Sequence, residues 1–372
     1  LSFIGVEGLA AEQNGEKPPQ ADYRRGVIIE VQGAILPRLK KYMVRKLERA
    51  RKMEADLVVL EIESPGGSIE TTFEVVDALR ELDWAYTVAF VPDEALSGAA
   101  IVSLACDEIL MAPTARLGDA GPVVIGPDAV FRHAPEKIRS DLARRVRDLA
   151  AAQDRPPALA EAMVDMNLIV YRVTHKETGR VTFMSQAEID SAENPEVWER
   201  GPPVIESREG SFLEVNGERA VELQLATATA AERSELNDYF AVADPPLMVL
   251  RRTTLDIAID VLNHPLITGL LLATGAVALY LELSAPGIGV GGLISGLCFT
   301  LFFWSRFLGG TSGWLEIILV LAGVVFLAVE LFVLPGFGIA GTAGLLLMAA
   351  GIIMASQNHL IPQSPRGMQQ LG

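Results

Sequence analysis

Residues 57–68 read LVVLEIESPGGS, an apolar run that ends at a turn containing a proline and the pair Gly66 and Gly67. The run is rich in Val, Leu and Ile and is bounded by Pro and Gly, which predicts a buried β-strand. The residues that follow predict a helix from about Ile69 to Leu82. Two consecutive glycines permit positive φ, so that a backbone N–H can point outward as an oxyanion hole requires. An ordinary strand-to-helix turn is the alternative interpretation.

The segments on both sides of this stretch alternate between short apolar strands and helices. The predicted strands are GVIIEV (26–31), YTVAFV (86–91) and EILMA (108–112). The predicted helices run from about Pro37 to Met53, from near Ser97, and from about Pro135 to Gln153. Such alternation is typical of βα units with parallel strands. Residues 166–248 mix short strands with a helix near 218–225, and their order is not predicted.

Ser97 follows the strand at 86–91 and opens a helix of small residues, SGAAIVSLA. A serine at a helix start is commonly an N-cap. The same position suits a nucleophile, because the helix dipole and the amide of Gly98 would stabilise the anion that forms during acyl transfer. The residues alone leave both interpretations open.

A serine nucleophile needs a base, and the chain is poor in histidine. The four histidines are His133, His175, His264 and His359. Lysine can take this role when burial lowers its pKa toward neutrality. Lys137, in PEKIRSDLARRV at the start of a predicted helix, is the candidate base, and His133, four residues earlier, is the alternative.

The helix predicted at 37–53 carries a cluster of basic residues, which we interpret as a charged, solvated face. They are Lys40, Lys41, Arg45, Lys46, Arg49, Arg51 and Lys52.

Composition excludes several classes of protein. The formal net charge is −16 and the pI is about 4.8, which disfavours nucleic acid as a partner because phosphate binding needs a basic surface. Two cysteines, Cys106 and Cys298, are too few for a disulfide framework or a zinc site, and we expect both to be buried. The sequence predicts no metal and no cofactor.

Four long apolar runs follow residue 262. They cover 266–283, 290–308, 315–334 and 338–355, separated by a few residues rich in Gly and Pro. Each is close to the length that crosses the hydrocarbon of a bilayer as a helix. Helical hairpins in a membrane bury such runs more simply than a soluble core does, so we expect about four crossings.

An internal repeat supports the hairpins. Segments GAVALYLELSAPGIGVGG from Gly275 and GVVFLAVELFVLPGFGIAG from Gly323 share a glycine, a glutamate seven residues later and a PGxG turn. The repeated carboxylates are Glu282 and Glu330. A carboxylate at membrane depth is often functional, and the alternative is that each one reaches lipid headgroups or caps the amides of the next turn.

The first residues predict an export signal. Residues 1–11, LSFIGVEGLAA, resemble the end of a signal segment, and 12–24 suit a flexible linker. A signal peptide would place the folded domain outside the cytoplasm. We therefore expect a multi-pass protein of the cell (inner) membrane with an extracytoplasmic N-terminal domain.

Four motifs together resemble a known family. ESPGGS (63–68), ALSGAA (95–100), MAPTARLGDAGPV (111–123) and PEKI (135–138), in this order and spacing, are similar to the ClpP-class membrane-bound serine proteases called NfeD. The PGxG-containing hydrophobic repeat is also a feature of long NfeD proteins. The resemblance therefore covers most of residues 25–355.

The resemblance implies an α/β fold of the ClpP/crotonase type, a spiral of ββα units, followed by an all-α transmembrane region of about four helices. It implies a Ser-Lys dyad with Ser97 as nucleophile and Lys137 as general base, and an oxyanion hole formed by the backbone amides of Gly67 and Gly98. The implied activity is that of a serine endopeptidase, with peptide bonds hydrolysed through an acyl-enzyme.

Partners also follow from the resemblance. It implies cleavage within apolar segments of a stomatin- or flotillin-like membrane protein, as substrate or partner, and a homo-oligomer of two or more copies. A catalytically inactive membrane scaffold that binds the same partners is the first alternative. A crotonase-like acyl-CoA enzyme is the second, against which stand the membrane hairpins and the lack of an obvious basic pocket for a nucleotide phosphate.

The expected organisation has four parts. Residues 1–24 form a signal remnant and linker, 25–250 the ClpP-like protease domain, 262–357 the transmembrane region, and 358–372 a C-terminal tail that we expect to be cut short. Long family members carry a small β-barrel domain after the membrane region.

Overall fold

The protein was analysed as a computed structural model, which describes residues 23–125, 131–242, 246–284, 289–310, 312–333 and 338–356. The expected signal remnant, nearly all of the linker, the C-terminal tail and most of both PGxG turns lie outside these residues.

The described chain forms an α/β region followed by a helical region. The strands are β1 Gly26–Gln32, β2 Leu57–Glu63, β3 Tyr86–Val91, β4 Glu94–Leu96, β5 Glu108–Met111, β6 Arg116–Gly118, β7 Val123–Ile125, β8 Phe131–His133, β9 Val170–His175, β10 Val181–Ser185, β11 Trp198–Pro203, β12 Glu214–Asn216, β13 Ala228–Thr229 and β14 Met248–Val249. The helices are α1 Pro37–Lys52, α2 Ile69–Arg80, α3 Gly98–Ala105, α4 Glu136–Ala152, α5 Pro157–Ala162, α6 Gln186–Ser191, α7 Gly217–Glu222, α8 Arg233–Tyr239, α9 Thr254–Leu262, α10 Pro265–Ser284, α11 Val290–Gly309, α12 Trp314–Phe332 and α13 Ile339–Ser356.

The main sheet has six strands in the order β13-β5-β3-β2-β1-β14, and all neighbouring strands are parallel. Its register aligns Val58 of β2 with Val27 of β1 and with Thr87 of β3. A parallel sheet is covered on both faces, which explains why its strands are continuous apolar runs. The predicted α/β class with βα crossovers is confirmed and agrees with the ClpP/crotonase-type fold.

Side chains of alternate residues enter two different hydrophobic clusters. Val58, Leu60 and Ile62 of β2 face the larger cluster, which α1, α2 and α3 cover. Leu57 and Val59 face the smaller cluster, which includes residues of α8 and the segment that follows it. The larger cluster supports the loops at the carboxyl ends of β2 and β3.

Smaller sheets surround the main one. Strands β12, β6 and β4 form a three-stranded sheet in that order, and β4 leads directly to Ser97. Strands β10, β9 and β11 form an antiparallel sheet, and β7 pairs with β8 as a hairpin ahead of α4.

The basic face of α1 is exposed at Arg49, Arg51 and Lys52 as the sequence suggested, but not at Lys46 and Lys41. Lys46 is only 2 % exposed, and its Nζ donates to Asp256 Oδ2 at 2.9 Å and to the Arg251 carbonyl at 2.7 Å. Lys41 Nζ donates to the Phe307 carbonyl at 2.7 Å, at the C-terminal end of α11. The prediction was wrong for these lysines because their partners lie more than 200 residues away in the chain.

Four apolar helices, α10 to α13, pack as two antiparallel pairs, α10 with α11 and α12 with α13. Among the described residues, Pro265–Glu282 and Val290–Gly309 are long and apolar enough to cross a membrane, and Ile339–Ala355 is a shorter apolar helix.

Glu282 and Glu330 cap the helices that follow them. The Glu282 carboxylate accepts from the amides of Gly289 and Gly292 at 2.7 and 3.0 Å. The Glu330 carboxylate accepts from the amides of Gly338 and Gly341 at 2.7 and 3.2 Å. Both satisfy N–H groups that a helix start leaves unpaired, so the capping interpretation of the repeat is the one the structure supports.

Candidate functional site

Ser97 lies between β4 and α3 in a strained backbone conformation. Its φ is +55° and its ψ is −124°, a region that non-glycine residues rarely occupy. The Ser97 amide donates to the Gly118 carbonyl of β6 at 3.0 Å, which fixes this conformation. An N-cap serine has extended backbone angles and accepts a bond from the helix, whereas the Ser97 hydroxyl caps no amide of α3. The N-cap interpretation is therefore excluded, and the side chain is half-exposed at a forced turn.

The turn after β2 packs directly against Ser97. Gly66 has φ +91°, and a Cβ built on it would lie 2.5 Å from Ser97 Cβ and 2.8 Å from the Gly98 nitrogen. Only glycine fits this close approach. The Gly66 amide donates to Ser64 Oγ at 3.1 Å, and its carbonyl accepts from the Ile35 amide at 2.8 Å. These bonds hold the turn against the start of α3.

Gly67 forms a parallel β-bridge with Ile35, which lies two residues before the start of α1. The Ile35 carbonyl accepts from the Ser68 amide at 3.0 Å. Because backbone groups alternate in direction along an extended segment, the Gly67 N–H is turned away from Ile35. Among the described residues it donates to no acceptor.

Gly98 is the first residue of α3, so its N–H has no acceptor within the helix. A Cβ at Gly98 would lie 2.3 Å from Thr72 Oγ1, and the residue is buried. Thr72 is held in turn by a bond of 2.8 Å from its Oγ1 to the Ser68 carbonyl. The positive end of the α3 dipole lies at this amide, where an oxyanion would be stabilised.

The structure thus brings three of the four predicted site residues into one cluster: Ser97, Gly67 and Gly98. Gly66 contacts both Ser97 and Gly98. The sequence analysis assigned a role to Gly67 and none to Gly66. The adjacent glycines could have indicated a role for Gly66, because two glycines in one turn suggest that both lie close to neighbouring atoms.

Among the described residues, no hydrogen bond or ion pair joins Lys137 to this cluster. Lys137 lies in the first turn of α4 with an exposed side chain, and it makes no hydrogen bond or ion pair with the described residues. Helices α3 and α4 meet at their C-terminal ends, where Gln153 Nε2 donates to the Ala105 carbonyl at 3.4 Å.

The alternative base also lies outside the cluster. His133 is exposed at the end of β8, and its ring meets the Phe212 ring edge-on with centroids 5.6 Å apart. The carboxylate nearest in sequence to Ser97 is Glu94, which pairs with Arg116. The guanidinium of Arg116 therefore offsets the negative charge of Glu94 near Ser97.

A buried arginine supports the other end of α3. Arg155 donates to the carbonyls of Leu104, Cys106 and Asp107 at 3.0 to 3.1 Å. These are carbonyls that the end of a helix leaves unpaired, so the guanidinium holds the C-terminal end of the Ser97 helix against the segment after α4.

Both cysteines are free and buried, as the sequence predicted. Burial raises the pKa of Cys106 to about 12, and the nearby Arg155 only partly opposes this. Cys106 is therefore a packing residue of α3 and not a nucleophile.

The chain is similar to known proteins along most of its length. A model of the NfeD1b N-terminal domain matches residues 26–194, and a model of the NfeD integral membrane domain matches residues 266–370. The chain is 27% identical over 361 residues to the membrane protein NfeD1b of Bacillus subtilis (strain 168), which covers 97% of this chain and 72% of the relative.

Three solved structures are similar at low identity. A serine-to-alanine mutant of the 1510-N membrane-bound stomatin-specific protease is 16% identical and covers 58% of this chain and 84% of its own, with a TM-score of 0.43. A lysine-to-alanine mutant of the 1510-N protease with a substrate peptide is 15% identical and covers 63% and 97%, with a TM-score of 0.45. The 1510-N protease from Pyrococcus horikoshii, specific for a stomatin homolog, is 14% identical and covers 64% and 98%, with a TM-score of 0.41.

The two family models match the α/β region and the apolar helices separately, in the order in which the sequence motifs predicted them. The chain belongs to the NfeD family of membrane proteins.

Proposed function

We propose that this protein is a membrane-anchored serine endopeptidase in which Ser97 is the nucleophile and Lys137 the general base. The observation that carries the proposal is the forced backbone of Ser97 at the start of α3, with the Gly66–Gly67 turn packed against it. Strained residues of this kind collect at active sites. The NfeD resemblance supplies the assignment of the base.

The proposed reaction is acyl transfer to Ser97. The Ser97 Oγ attacks the peptide carbonyl carbon while its proton passes to a neutral Lys137 Nζ. The negative charge that develops on the carbonyl oxygen is stabilised by the amides of Gly67 and Gly98. The C–N bond breaks, the amine leaves with the proton returned by Lys137, and water hydrolyses the Ser97 ester.

The exposed position of Lys137 sets a requirement for this mechanism. A lysine becomes a base only where burial disfavours its ammonium form, so the Lys137 side chain must turn toward Ser97 when a peptide occupies the site. Catalytic contacts are often loose without substrate and tighten in the complex. The bound peptide would supply the cover that excludes water from the amine.

The test is cleavage of quenched fluorescent peptides with apolar sequences by the full chain in detergent. Ser97→Ala should abolish cleavage, and Lys137→Ala should lower it by about 100-fold or more. The control variants are Ser191→Ala and Lys176→Ala, whose side chains are exposed in the β9–β11 region. Cleavage that survives Ser97→Ala at the wild-type rate would show that the nucleophile is wrongly assigned.

A catalytically inactive scaffold is the second candidate function. The observation that favours it is the exposed side chain of Lys137, which is not the desolvated lysine that a general base requires. Under this alternative the wild-type chain cleaves no peptide of the library and still binds its membrane partner, and Ser97→Ala changes neither result.

We propose a stomatin- or flotillin-type membrane protein as the substrate or partner, and self-association into a dimer or larger oligomer, both on the family resemblance. Co-purification of a tagged stomatin-type protein with the Ser97→Ala variant tests the first, because an inactive enzyme retains its substrate. Sedimentation of the detergent-solubilised chain tests the second, and a monomer would contradict it.

We propose that residues 25–250 form the protease domain and that α10 to α13 cross the cell membrane four times, with the protease domain outside the cytoplasm. Added protease should digest that domain in right-side-out vesicles and spare it in inverted ones. The opposite pattern would contradict the proposed orientation.

A further inference from the structure

Helix α9 has its two aspartates turned toward the protein together with Ile259, whereas three other apolar residues, Leu255, Ile257 and Val261, are turned outward. Asp256 is buried against Lys46 and Arg45, with contacts of 2.9 and 2.8 Å. Asp260, four residues later on the same face, pairs with Arg38 and Arg252. A surface helix of a soluble domain shows the reverse arrangement.

The outward face of α9 is formed by large aliphatic side chains. Ile257 and Val261, also four residues apart, are 53 % and 51 % exposed, and Leu255 is 41 % exposed. Within the described residues no element of the chain covers them. The aspartates of this helix are therefore paired within the protein, and Leu255, Ile257 and Val261 are left for a different environment.

Helix α9 lies beside one end of the apolar helices α10 and α11, and this position indicates which environment its exposed face meets. Asn263, just after α9, donates from Nδ2 to the Ser305 carbonyl near the end of α11 at 3.1 Å. At the same end, the Phe307 ring meets the Trp314 ring with centroids 5.4 Å apart, and Trp314 is 69 % exposed. Exposed tryptophan at the end of a membrane helix is typical of the interface between hydrocarbon and headgroups.

The outward face of α9 also continues into the apolar surface of α10, which begins three residues later and exposes Leu266 at once. The model of the membrane domain starts at residue 266, so α9 lies just outside the region assigned to the membrane. We propose that α9 is an interfacial helix whose face of Leu255, Ile257 and Val261 lies in the headgroup and upper acyl-chain region of the bilayer that α10 and α11 enter.

The same contacts fasten the N-terminal domain to this helix. Lys46 and Arg45 of α1 bind Asp256 of α9, and Lys41 of α1 binds the last turn of α11. Helix α1 begins two residues after Ile35, which bridges Gly67 of the candidate site. Lys41 lies four residues after the start of α1 at Pro37, which is about 6 Å of helix. The site is thus held close to the membrane surface. This inference rests on the membrane helices and not on the catalytic dyad.

The experiment places a fluorescent bimane on single introduced cysteines of the full chain in phosphatidylcholine vesicles. The variants are Ile257→Cys on α9, Val277→Cys in the middle of α10 as the deep reference, and Ile205→Cys in the N-terminal domain as the aqueous reference. All three side chains are more than half exposed. The wild-type protein, whose cysteines are buried, is the labelling blank.

At Ile257→Cys we expect strongest quenching by lipid with a nitroxide near the headgroup, at least about three times that at Ile205→Cys, and weak quenching by aqueous iodide. Iodide quenching equal to that at Ile205→Cys would overturn the proposal. So would strongest quenching by a nitroxide at the chain end, as at Val277→Cys, because α9 would then lie in the hydrocarbon core. Protection from all three quenchers would also overturn it, because a second protein would then cover the helix.

Discussion

Gly66 and Ser97 are in direct contact across the turn that follows β2, with room for a hydrogen and not for a methyl group on Gly66. This contact restricts the position of the Ser97 side chain. Gly66→Ala places a Cβ about 2.5 Å from Ser97 Cβ, and we expect it to abolish cleavage and to destabilise the fold by about 1–3 kcal/mol from overpacking. Peptide cleavage and the midpoint of thermal unfolding in detergent measure the two effects.

Gly33→Ala is the matched control for this change. Gly33 also has positive φ, at +83°, and a Cβ there meets nothing within 4 Å. Only the backbone strain remains, about 1 kcal/mol, so Gly33→Ala should lower the unfolding midpoint slightly and keep full activity. Equal activity of the two variants would show that the Gly66 contact does not position Ser97.

The buried Lys46 predicts a large effect at a residue that resembles a surface lysine. Lys46→Met removes the buried one of the two cations that bind Asp256, and we expect a loss of about 3 kcal/mol in the free energy of unfolding. Lys40→Met is the control, because Lys40 pairs with Glu74 at 2.9 Å while both side chains are about 30 % exposed. That pair is worth about 0.5 kcal/mol. Similar unfolding midpoints for both variants would contradict the burial of Lys46.

The Lys46 contact also predicts a response to acid. Burial alone would raise the pKa of Asp256, but bonds from the Thr253 backbone, Lys46, Arg45 and the Thr253 hydroxyl outweigh it and hold this pKa well below its ordinary value. A depressed carboxyl pKa stabilises the fold above the unfolded pKa of about 3.9, and this stability is lost as pH falls below it. The stability difference between wild type and Asp256→Asn should therefore be full at pH 7 and shrink below pH 4.

We expect Glu108 to affect the stability of the fold with the opposite dependence on pH. Burial raises its pKa, and the hydrogen bond from Tyr239 only partly opposes this. A raised carboxyl pKa stabilises the fold below the unfolded pKa of about 4.3 and ceases to do so as pH rises through the folded value. Glu108→Gln, which keeps an oxygen for Tyr239, should be more stable than wild type at pH 7 and equal to it near pH 4.

Thermal unfolding at the two pH values measures this difference. Glu209→Gln, at an exposed position, is the control and should change the midpoint little at either pH. A Glu108→Gln variant less stable than wild type at pH 7 would show that the carboxylate is favourably solvated where it lies.

The burial of Cys106 at the end of α3 can be tested by its reaction with maleimide. Burial raises its pKa to about 12, so the thiolate that reacts with maleimide is scarce and inaccessible at pH 7. We expect no labelling of the native chain and full labelling after denaturation. Rapid native labelling would mean that α3 opens, together with the helix start that carries Ser97.

The parallel sheet could be predicted because its strands are buried on both faces and therefore read as uninterrupted apolar runs. Helix α8 was not predicted, because its sequence RSELNDY is polar and only Leu236 is fully buried. Helix α9 was missed for a related reason. Its pattern of aspartates and aliphatic residues is that of an amphipathic helix, and only the partners in α1 show which face is inside.

The site could be predicted where it depends on local turns. Gly67, Gly98 and Ser97 each stand at the junction of a strand and a helix, and those junctions meet at one edge of a parallel sheet. The position of Lys137 relative to Ser97 depends on how α4 packs against the rest of the domain, which local sequence patterns do not determine. Lys46 could not be recognised as buried because Asp256 is 210 residues away.

The carboxylates of Glu282 and Glu330 each cap the second helix of their own hairpin, beside the turn that joins its two helices. No polar group from another helix has to arrive before the amides next to that turn are satisfied, and unsatisfied amides are what hydrocarbon tolerates least. Each hairpin therefore satisfies the amides beside its own turn from within. The second hairpin needs no polar group from the first at this point, and the repeated sequence supplies the same glutamate and glycines to both.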